Sequence, residues 1–471
     1  MTSLNQVTDA FEERLRAVLP EAAFRPATDH YLTELRGQMR GQGGLVVAPG
    51  TTDETAEVLR LANEERVAVV PFSGGTGLVG GQVAPNLSRP LILSLERMDK
   101  IRAVYPQENA MIVEAGAILQ NVRDAADQHD RLFPLLLASE GSARIGGNLA
   151  TNAGGMNVLR YGNTRDLCLG IEAVLADGTV VSGLKRLRKD NTGYDLKNLL
   201  IGSEGTLGVI TAATLRLFQK PENNATALLV VPNPAAALEL LDLARDYAGD
   251  LISIFELISG EGFRFISETI PDHRLPVSEI ADWMILGEIG APRGVNADAI
   301  WQSVVEAGME RGLILDGVQA GSEAQRQALI DTRELIPEAN RRIGAVASQD
   351  ISLPLSVIPD FIPRCREALN RFGDLRLNCF GHLGDGNLHY NVYPSKGRNK
   401  ADYANIRADL IKVIHDLVGE YGGSFSAEHG IGRFKVDDLQ RYGDPGRLAA
   451  MRMVKRALDP NGIMNPGAVL T

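Results

Sequence analysis

Apolar and polar positions along the chain follow two periods. Between residues 45 and 220, short apolar runs alternate with stretches whose apolar residues recur at helical spacing. Leu45-Val46-Val47-Ala48 reads as a strand. Thr51 and Glu54 have capping-box spacing, and the helix behind them places Val58, Leu61 and Ala62 on one face. Val67–Phe72 and Leu91–Leu95 read as buried strands, residues 118–129 as an amphipathic helix with Leu119, Val122 and Ala126 inward, and Ile171–Leu175 and Val209–Leu217 as further strands. A short amphipathic helix is expected over residues 5–19.

Residues 221–375 read as a second unit. Strands are expected at Leu228–Val231, Leu251–Ile258 and Trp283–Ile289, with helices over 234–247 and about 297–311. Strands with two crossover helices predict an antiparallel sheet with helices on one face, an α+β arrangement. A final helix over about 445–458 stops at the turn signal Asp459-Pro460-Asn461-Gly462. The expected divisions are residues 1–220, 221–425 and 426–471, the last returning to the first.

A chain of 471 residues exceeds one core, so at least two domains are expected. Glycine, at 49 residues, stands above the roughly 7% average. The excess is clustered, which marks backbone in close approach to a ligand. The net charge of −11 argues against a nucleic-acid partner. The dense basic run Lys185, Arg186, Arg188, Lys189 reads as a solvated loop. Three cysteines, Cys168, Cys365 and Cys379, form no CxxC pair and predict reduced thiols in a cytoplasmic protein. Met1 to Asn5 shows no charged and apolar leader, so no secretory signal is expected, and no apolar run reaches the ~18 residues of a membrane span.

Gly75-x-Gly77-x-x-Gly80 matches the dinucleotide fingerprint and follows a strand. That fingerprint must open a helix, whose N-terminus holds the pyrophosphate. Here Pro85 and Pro90 leave no room for one before Leu91–Leu95, so NAD is not expected. The loop is either an anion nest or a tight turn. A second small-residue stretch, Gly146-Gly147-Asn148-Leu149-Ala150-Thr151-Asn152-Ala153-Gly154-Gly155, suits hydrogen bonding to a flat, phosphate-bearing cofactor. A third, Gly202-Ser203-Glu204-Gly205-Thr206-Leu207-Gly208, leads into the strand at Val209.

Phe380-Gly381-His382-Leu383-Gly384-Asp385-Gly386-Asn387-Leu388-His389 holds candidate metal ligands. Asp385-Gly386 favours a type I′ hairpin. Centred there, the turn sets His382 opposite His389, with Cβ atoms ~4.5–5.5 Å apart. The two imidazoles then either converge on one ion or are unrelated polar histidines. Glu428-His429-Gly430-Ile431-Gly432 adds a carboxylate, and two histidines with a carboxylate leave open coordination positions. Adjacent side chains point apart, so Glu428 and His429 need not share a task.

Pro71–Gly81, the 146–155 stretch, Asp190-Asn191-Thr192-Gly193-Tyr194-Asp195-Leu196 and Ile201–Gly208 resemble the FAD domain of the vanillyl-alcohol oxidase-type flavoproteins, in particular the branch of D-lactate, glycolate and D-2-hydroxyglutarate dehydrogenases. The resemblance covers about residues 40–471. It implies a two-part FAD-binding domain with a substrate (cap) domain. It implies FAD contacts from Ser73, Gly74, Gly75, Thr76, Gly77, Leu78 and Gly80, from Ser139, Gly141, Ile145, Gly146, Gly147, Asn148, Thr151, Asn152, Gly154, Gly155 and Tyr161, and from Glu204, Gly205, Gly208, Val209, Ile210 and Asn465. Relatives that tether flavin use a histidine in the first glycine loop; this loop has none, so the FAD is expected to be non-covalent.

The resemblance further implies that His382, His389 and Glu428 bind a divalent metal, zinc first, with manganese, iron or cobalt as alternatives. His429 is then the base, Arg333 the partner of the substrate carboxylate, and Asn387 a hydrogen-bonding partner of substrate or flavin. The chemistry is coherent. A metal acidifies the substrate hydroxyl, an imidazole accepts its proton near neutrality, and flavin N5 takes the hydride. The expected partners are a small 2-hydroxy acid, an electron acceptor (quinone, cytochrome or electron-transferring flavoprotein) and a second copy in a homodimer. The sequence departs from the hydroxyglutarate-specific members at two positions. Pro337 stands where they carry a threonine and Ser348 where they carry a lysine, so D-lactate stays open as substrate. A flavin-free metal hydrolase, a non-catalytic flavin-fold protein and an oxygen-using oxidase are the alternatives.

Overall fold

The computed structural model describes residues 4–470; Met1–Ser3, part of the stretch read for a secretory signal, and Thr471 lie outside the described residues. The chain forms two compact units. One comprises Met1–Gly155, Gly162–Lys220 and Glu428–Thr471, the other Met156–Tyr161 and Pro221–Ala427.

The first unit opens with the helix Asp9–Val18, capped by Thr8, a shorter element than the periodicity predicts. Strands β1 (Phe24–Arg25), β2 (Leu45–Val47), β3 (Val69–Phe72) and β4 (Leu91–Ser94) form a sheet in the order β1-β2-β4-β3. β4 runs parallel to both β2 and β3. The helix Thr52–Glu64 connects β2 to β3. Thr51 Oγ1 accepts from Glu54 N at 3.1 Å, while the Glu54 carboxylate accepts from Gly50 N at 2.6 Å, one residue ahead of the cap. No helix separates β3 from β4, so the glycine fingerprint spans a strand-to-strand loop.

Next come β5 (Ile101–Tyr105), β6 (Ala110–Glu114), β7 (Arg131–Leu132), β8 (Cys168–Val174), β9 (Val180–Ser182), β10 (Val209–Arg216) and β11 (Phe218–Gln219). Five of these make an antiparallel sheet in the order β5-β6-β10-β8-β9, and β7 pairs with β11. The small-residue stretch is not extended: Ile145–Thr151 is a short helix. After the helix Pro445–Leu458, the tail lies beside β3. Val69 N donates to Ile463 O, Asn465 N donates to Val69 O, both at 2.8 Å, and Ile463 and Met464 enter the core.

The second unit is built on β12 (Asn223–Val230), β13 (Ile252–Ser259), β14 (Trp283–Ala291), β15 (Asp316–Gln319), β16 (Asp350–Ser352), β17 (Leu375–His382) and β18 (Asn387–Pro394). They form one seven-stranded antiparallel sheet in the order β15-β12-β14-β13-β17-β18-β16. Ala227, Leu229, Phe255, Leu257 and Ile285 pack on one side against the helices Pro234–Ala248, Ala297–Glu310 and Ile358–Leu369. One helix layer was expected; the sheet carries a second on its other face, because its strands are apolar on both sides. Leu228, Ile258, Met284 and Leu286 pack on the other side, against the helices Gly260–Thr269 and Glu323–Ile343. The central strands are apolar at successive positions because both faces are covered. Asn233, Asn296 and Ser322 cap three of these helices through their side chains, each cap contributing ~1 kcal/mol.

Candidate functional site

The first unit offers backbone. The amides of Gly74, Gly75, Thr76, Gly77 and Leu78 donate to no acceptor among the described residues. Their carbonyls are held from one side by the Gln82 amide, which donates to Gly75 O at 3.3 Å and Gly77 O at 2.9 Å. Gly75 has φ +69°, and a Cβ there would sit 2.8 Å from the Phe72 ring, so no other residue fits without strain. A loop with carbonyls engaged and amides free is suited to hold an anion.

The helix Ile145–Thr151 contributes differently. The amides of Ile145, Gly146 and Gly147 are already taken by Ala117 O, Ala115 O and Ser73 Oγ. They fix the helix against β6 and the first loop rather than meet a phosphate. Asn148, 5% exposed, has a buried Oδ1 with no donor, an acceptor that fits a polar cofactor edge. The Thr151 hydroxyl bonds back to Gly147 O, and Asn152 Oδ1 takes the Arg165 amide. Ser139 O closes the turn through Gly141 by accepting from Ser142 N and Ala143 N. Tyr161, buried beside the Arg160 guanidinium, groups with the second unit.

Glu204 has a left-handed backbone, φ +51°. Its carboxylate accepts from Ile431 N at 2.8 Å and Gly432 N at 2.7 Å, bracing the segment that follows Glu428-His429. Burial pushes its pKa up, against the pull of those two amides. The Asn465 side chain donates to Gly81 O and Glu204 O, at 3.0 and 2.9 Å. Arg433, which sequence reasoning missed, donates to Gly80 O, Gly81 O, Asn465 Oδ1 and Pro466 O. Burial lowers its pKa to about 10. Gly205, Gly208, Val209 and Ile210 make the turn into β10. His429 Nε2 lies 4.0 Å from Glu428 Oε1.

The second unit offers side chains. Strand alternation places Glu256, Phe380, His382, Asn387, His389 and Asp350 on the face covered by the helix Glu323–Ile343. Glu256 pairs directly with His382, Phe380 with His389, and Asp350 with His389. The expected two-residue hairpin is corrected here. His382 is not opposite His389 but diagonal to it, with ring centroids 5.8 Å apart. Gly381, at φ +144°, ends the ladder, Leu383–Asp385 winds into a 3-10 turn, and Gly386 closes it at φ +82°. Asp385-Gly386 thus spends its left-handed preference on the end of that turn. The two imidazoles still lie on one face of the sheet, as diagonal neighbours do.

Glu256, which sequence reasoning missed, is fully buried between the Arg333 guanidinium and the His382 imidazole. His382 Nδ1 donates to its Oε1. Arg333 donates to its Oε2 through Nε at 2.7 Å, and Nη2 lies 2.6 Å from the same oxygen. Burial alone would raise the carboxyl; the charges of Arg333 and His382 outweigh it and hold the group at about 2. Arg333 lies over the Phe380 ring, 5.1 Å from its centroid. Asn387 Nδ2 donates to Asp350 Oδ1 at 2.9 Å and Ile351 O at 3.0 Å. Asp350 Oδ1 stands 3.9 Å from His389 Nδ1. A lone acid inside the apolar run Ile252–Ser259 was the signal for Glu256, since buried carboxylates are almost always paired.

A model of the FAD binding domain matches residues 44–183, and one of the C-terminal domain of FAD linked oxidases matches 220–469. The chain belongs to the FAD-linked oxidase family. It is 37% identical over 432 residues to the mitochondrial D-2-hydroxyglutarate dehydrogenase of Bos taurus, covering 92% of this chain and 78% of that one. It is 36% identical over 429 residues to D-2-hydroxyglutarate dehydrogenase of Xanthomonas citri, covering 90% and 88%. A mitochondrial protein of Schizosaccharomyces pombe, provisionally named D-lactate dehydrogenase, is 33% identical over 448 residues, covering 93% and 84%. The protein is an FAD-dependent oxidoreductase of this D-2-hydroxy acid dehydrogenase branch. The structure of p-cresol methylhydroxylase shares the fold, with a TM-score of 0.76 at 18% identity over 98% of this chain and 97% of that one.

Two expectations change. A flavin-free hydrolase is set aside by the FAD binding domain. The expectation of a cytoplasmic protein is overturned by the relatives, which in Bos taurus, Arabidopsis thaliana and Rattus norvegicus are mitochondrial enzymes. The cysteines misled because all three are buried. A thiol out of contact with solvent does not report which compartment surrounds it. No helix among the described residues is long and apolar enough to cross a membrane.

Proposed function

We propose that the protein oxidises a D-2-hydroxy acid of the 2-hydroxyglutarate type to its 2-oxo acid. The observation that carries this is the single sheet face on which two histidines and a carboxylate-tethered arginine converge. His382 and His389, with Glu428, would hold a divalent ion, zinc first among N/O-binding metals. His382 fits this role because Glu256 occupies its Nδ1, which leaves Nε2 as the ligand atom. Ala427 N donates to Asp350 O at 3.2 Å, and Glu428 is the next residue, so the chain leaves the second unit beside the strand that pairs with His389.

A bound ion would supply Lewis acidity to the substrate hydroxyl, and bound FAD would supply the hydride acceptor at N5. The chain's own residues do the rest. Arg333 engages Glu256 along its Nε edge and keeps its Nη1 end for a substrate carboxylate. Phe380 forms an apolar wall between Arg333 and His389, 5.1 Å from the guanidinium and 5.0 Å from the imidazole. His429 would take the hydroxyl proton, the step for which an imidazole is suited near neutral pH. Asn387 commits its NH2 group to Asp350 and Ile351, so its Oδ1 is the atom left for substrate. The electrons then pass to an external quinone, cytochrome or flavoprotein.

A second reading, D-lactate, is favoured by two residues. Pro337, inside the helix Glu323–Ile343, and Ser348 provide no cation for a second carboxylate. The test of both is anaerobic: D- and L-2-hydroxyglutarate and D- and L-lactate are added separately, and the visible flavin bands are followed. Bleaching by D-2-hydroxyglutarate alone supports the first reading, and bleaching by D-lactate alone the second. Bleaching by L-acids alone, or by none, would overturn both.

A further inference from the structure

Two arginines on one face of the helix Glu323–Ile343 reach the sheet, seven residues apart. Arg326 binds Glu288 with both carboxylate oxygens, through Nε at 2.7 Å and Nη2 at 3.0 Å. Thr226 and Ser253 hydroxyls complete that carboxylate, and among the described residues no histidine bonds to it. This pair anchors the helix. The second pair is built otherwise. Arg333 uses Oε2 of Glu256 only, and the other oxygen is given to His382. A helix anchor has no need of that division. A buried ion pair costs much of its own Coulombic gain in desolvation, so a second one two turns from the first calls for another role.

We propose that Glu256 is a positioning residue that fixes the metal-binding face of His382 and the carboxylate-binding end of Arg333 in one rigid frame. This rests on the reading given under Proposed function. One oxygen selects the Nδ1–H tautomer of His382 and so presents Nε2 outward. The other holds the Arg333 side edge and so presents Nη1. The relative placement of His382 Nε2 and Arg333 Nη1 is therefore fixed through one carboxylate. A 2-hydroxy acid carries its hydroxyl and carboxylate on adjacent carbons, and a fixed spacing selects that arrangement over isolated alcohols.

The test compares E256Q, E256D and E288Q with the wild type as full chains loaded with FAD. Zn2+ affinity is read by competition with a chromophoric chelator, and KM and kcat for D-2-hydroxyglutarate and D-lactate with a dye acceptor. E256Q is expected to weaken Zn2+ binding about 10–100-fold, the usual effect of removing an outer partner of a ligating histidine. It should also raise KM about tenfold or more, with flavin absorption unchanged. E256D, which keeps the charge, should recover part of both. E288Q should lower thermal stability and change neither. E256Q, or E256D if the first variant does not fold, with wild-type Zn2+ affinity and KM would overturn the proposal and leave Glu256 as an anchor like Glu288. A wild-type protein that takes up no Zn2+ would overturn the metal reading itself and this proposal with it, and that failure shows before any variant is made.

Discussion

In the first unit the glycine loop Gly74–Leu78 presents amides, and the side chain of Gln82, four residues beyond it, holds the Gly75 and Gly77 carbonyls. In the second unit the sheet face presents Glu256, His382, His389 and Asp350, with backbone committed to the ladder, and the covering helix Glu323–Ile343 adds Arg333. A cofactor that is always the same can be held by groups every residue carries, provided glycine lets it approach. A substrate and a metal need charge and a lone pair at chosen points, which only side chains supply. The two units should therefore fail differently when damaged.

The largest effect should come from His429, the proposed proton acceptor. H429Q is expected to lower kcat by about 10²–10⁴, the range for losing a general base, with FAD content intact by absorption. Glycine damage should do the reverse. G75V pushes a side chain into the Phe72 ring, 2.8 Å from its Cβ. Loss of one charge-assisted amide bond, ~1.5–3 kcal/mol, predicts FAD binding weaker by about 10–100-fold, measured by flavin release on dilution, with Zn2+ affinity unchanged. A G75V protein that lost metal and kept FAD would break the comparison.

Next in size is acid stability. The Glu256 carboxyl is held at about 2 against 4.5 when free. A depressed acid stabilises the fold above its free value and loses that contribution as pH falls toward its folded value. The wild type should thus exceed E256Q in urea midpoint at pH 7 by the equivalent of ~3–5 kcal/mol, the usual effect of breaking a buried pair. The gap should close between pH 4.5 and 2. Smallest is the response of the thiols. Burial raises Cys168 and Cys365 to about 12 and Cys379 higher still. Native protein at pH 8 should resist alkylation at all three, with labelling only on unfolding, as read by mass spectrometry.

The same contrast decided what the sequence revealed. Glycine in a strand-to-strand loop is conspicuous because few other residues tolerate φ +69°, so the 73–81 loop and its lack of a following helix were legible. The short helix Ile145–Thr151 was not, because its stability comes from Ala115, Ala117 and Ser73 rather than from its own residues. In the second unit the histidines stood out, yet their register did not. Asp-Gly serves a 3-10 turn as well as a type I′ turn, and only Gly381 tells the two apart. Glu256, Asp350 and Arg433 were missed as single charged residues whose partners lie 32 or more residues away.

The central claim is that the first unit's backbone holds the flavin while the second unit's side chains, with a metal, make the substrate reactive. It is tested most directly by stripping the FAD-loaded protein with a chelator and following flavin bleaching by the D-2-hydroxy acid without oxygen. The account predicts that the stripped protein keeps its flavin spectrum, loses bleaching, and regains it with Zn2+ or another divalent ion. Bleaching at the original rate in protein shown to be metal-free would contradict it.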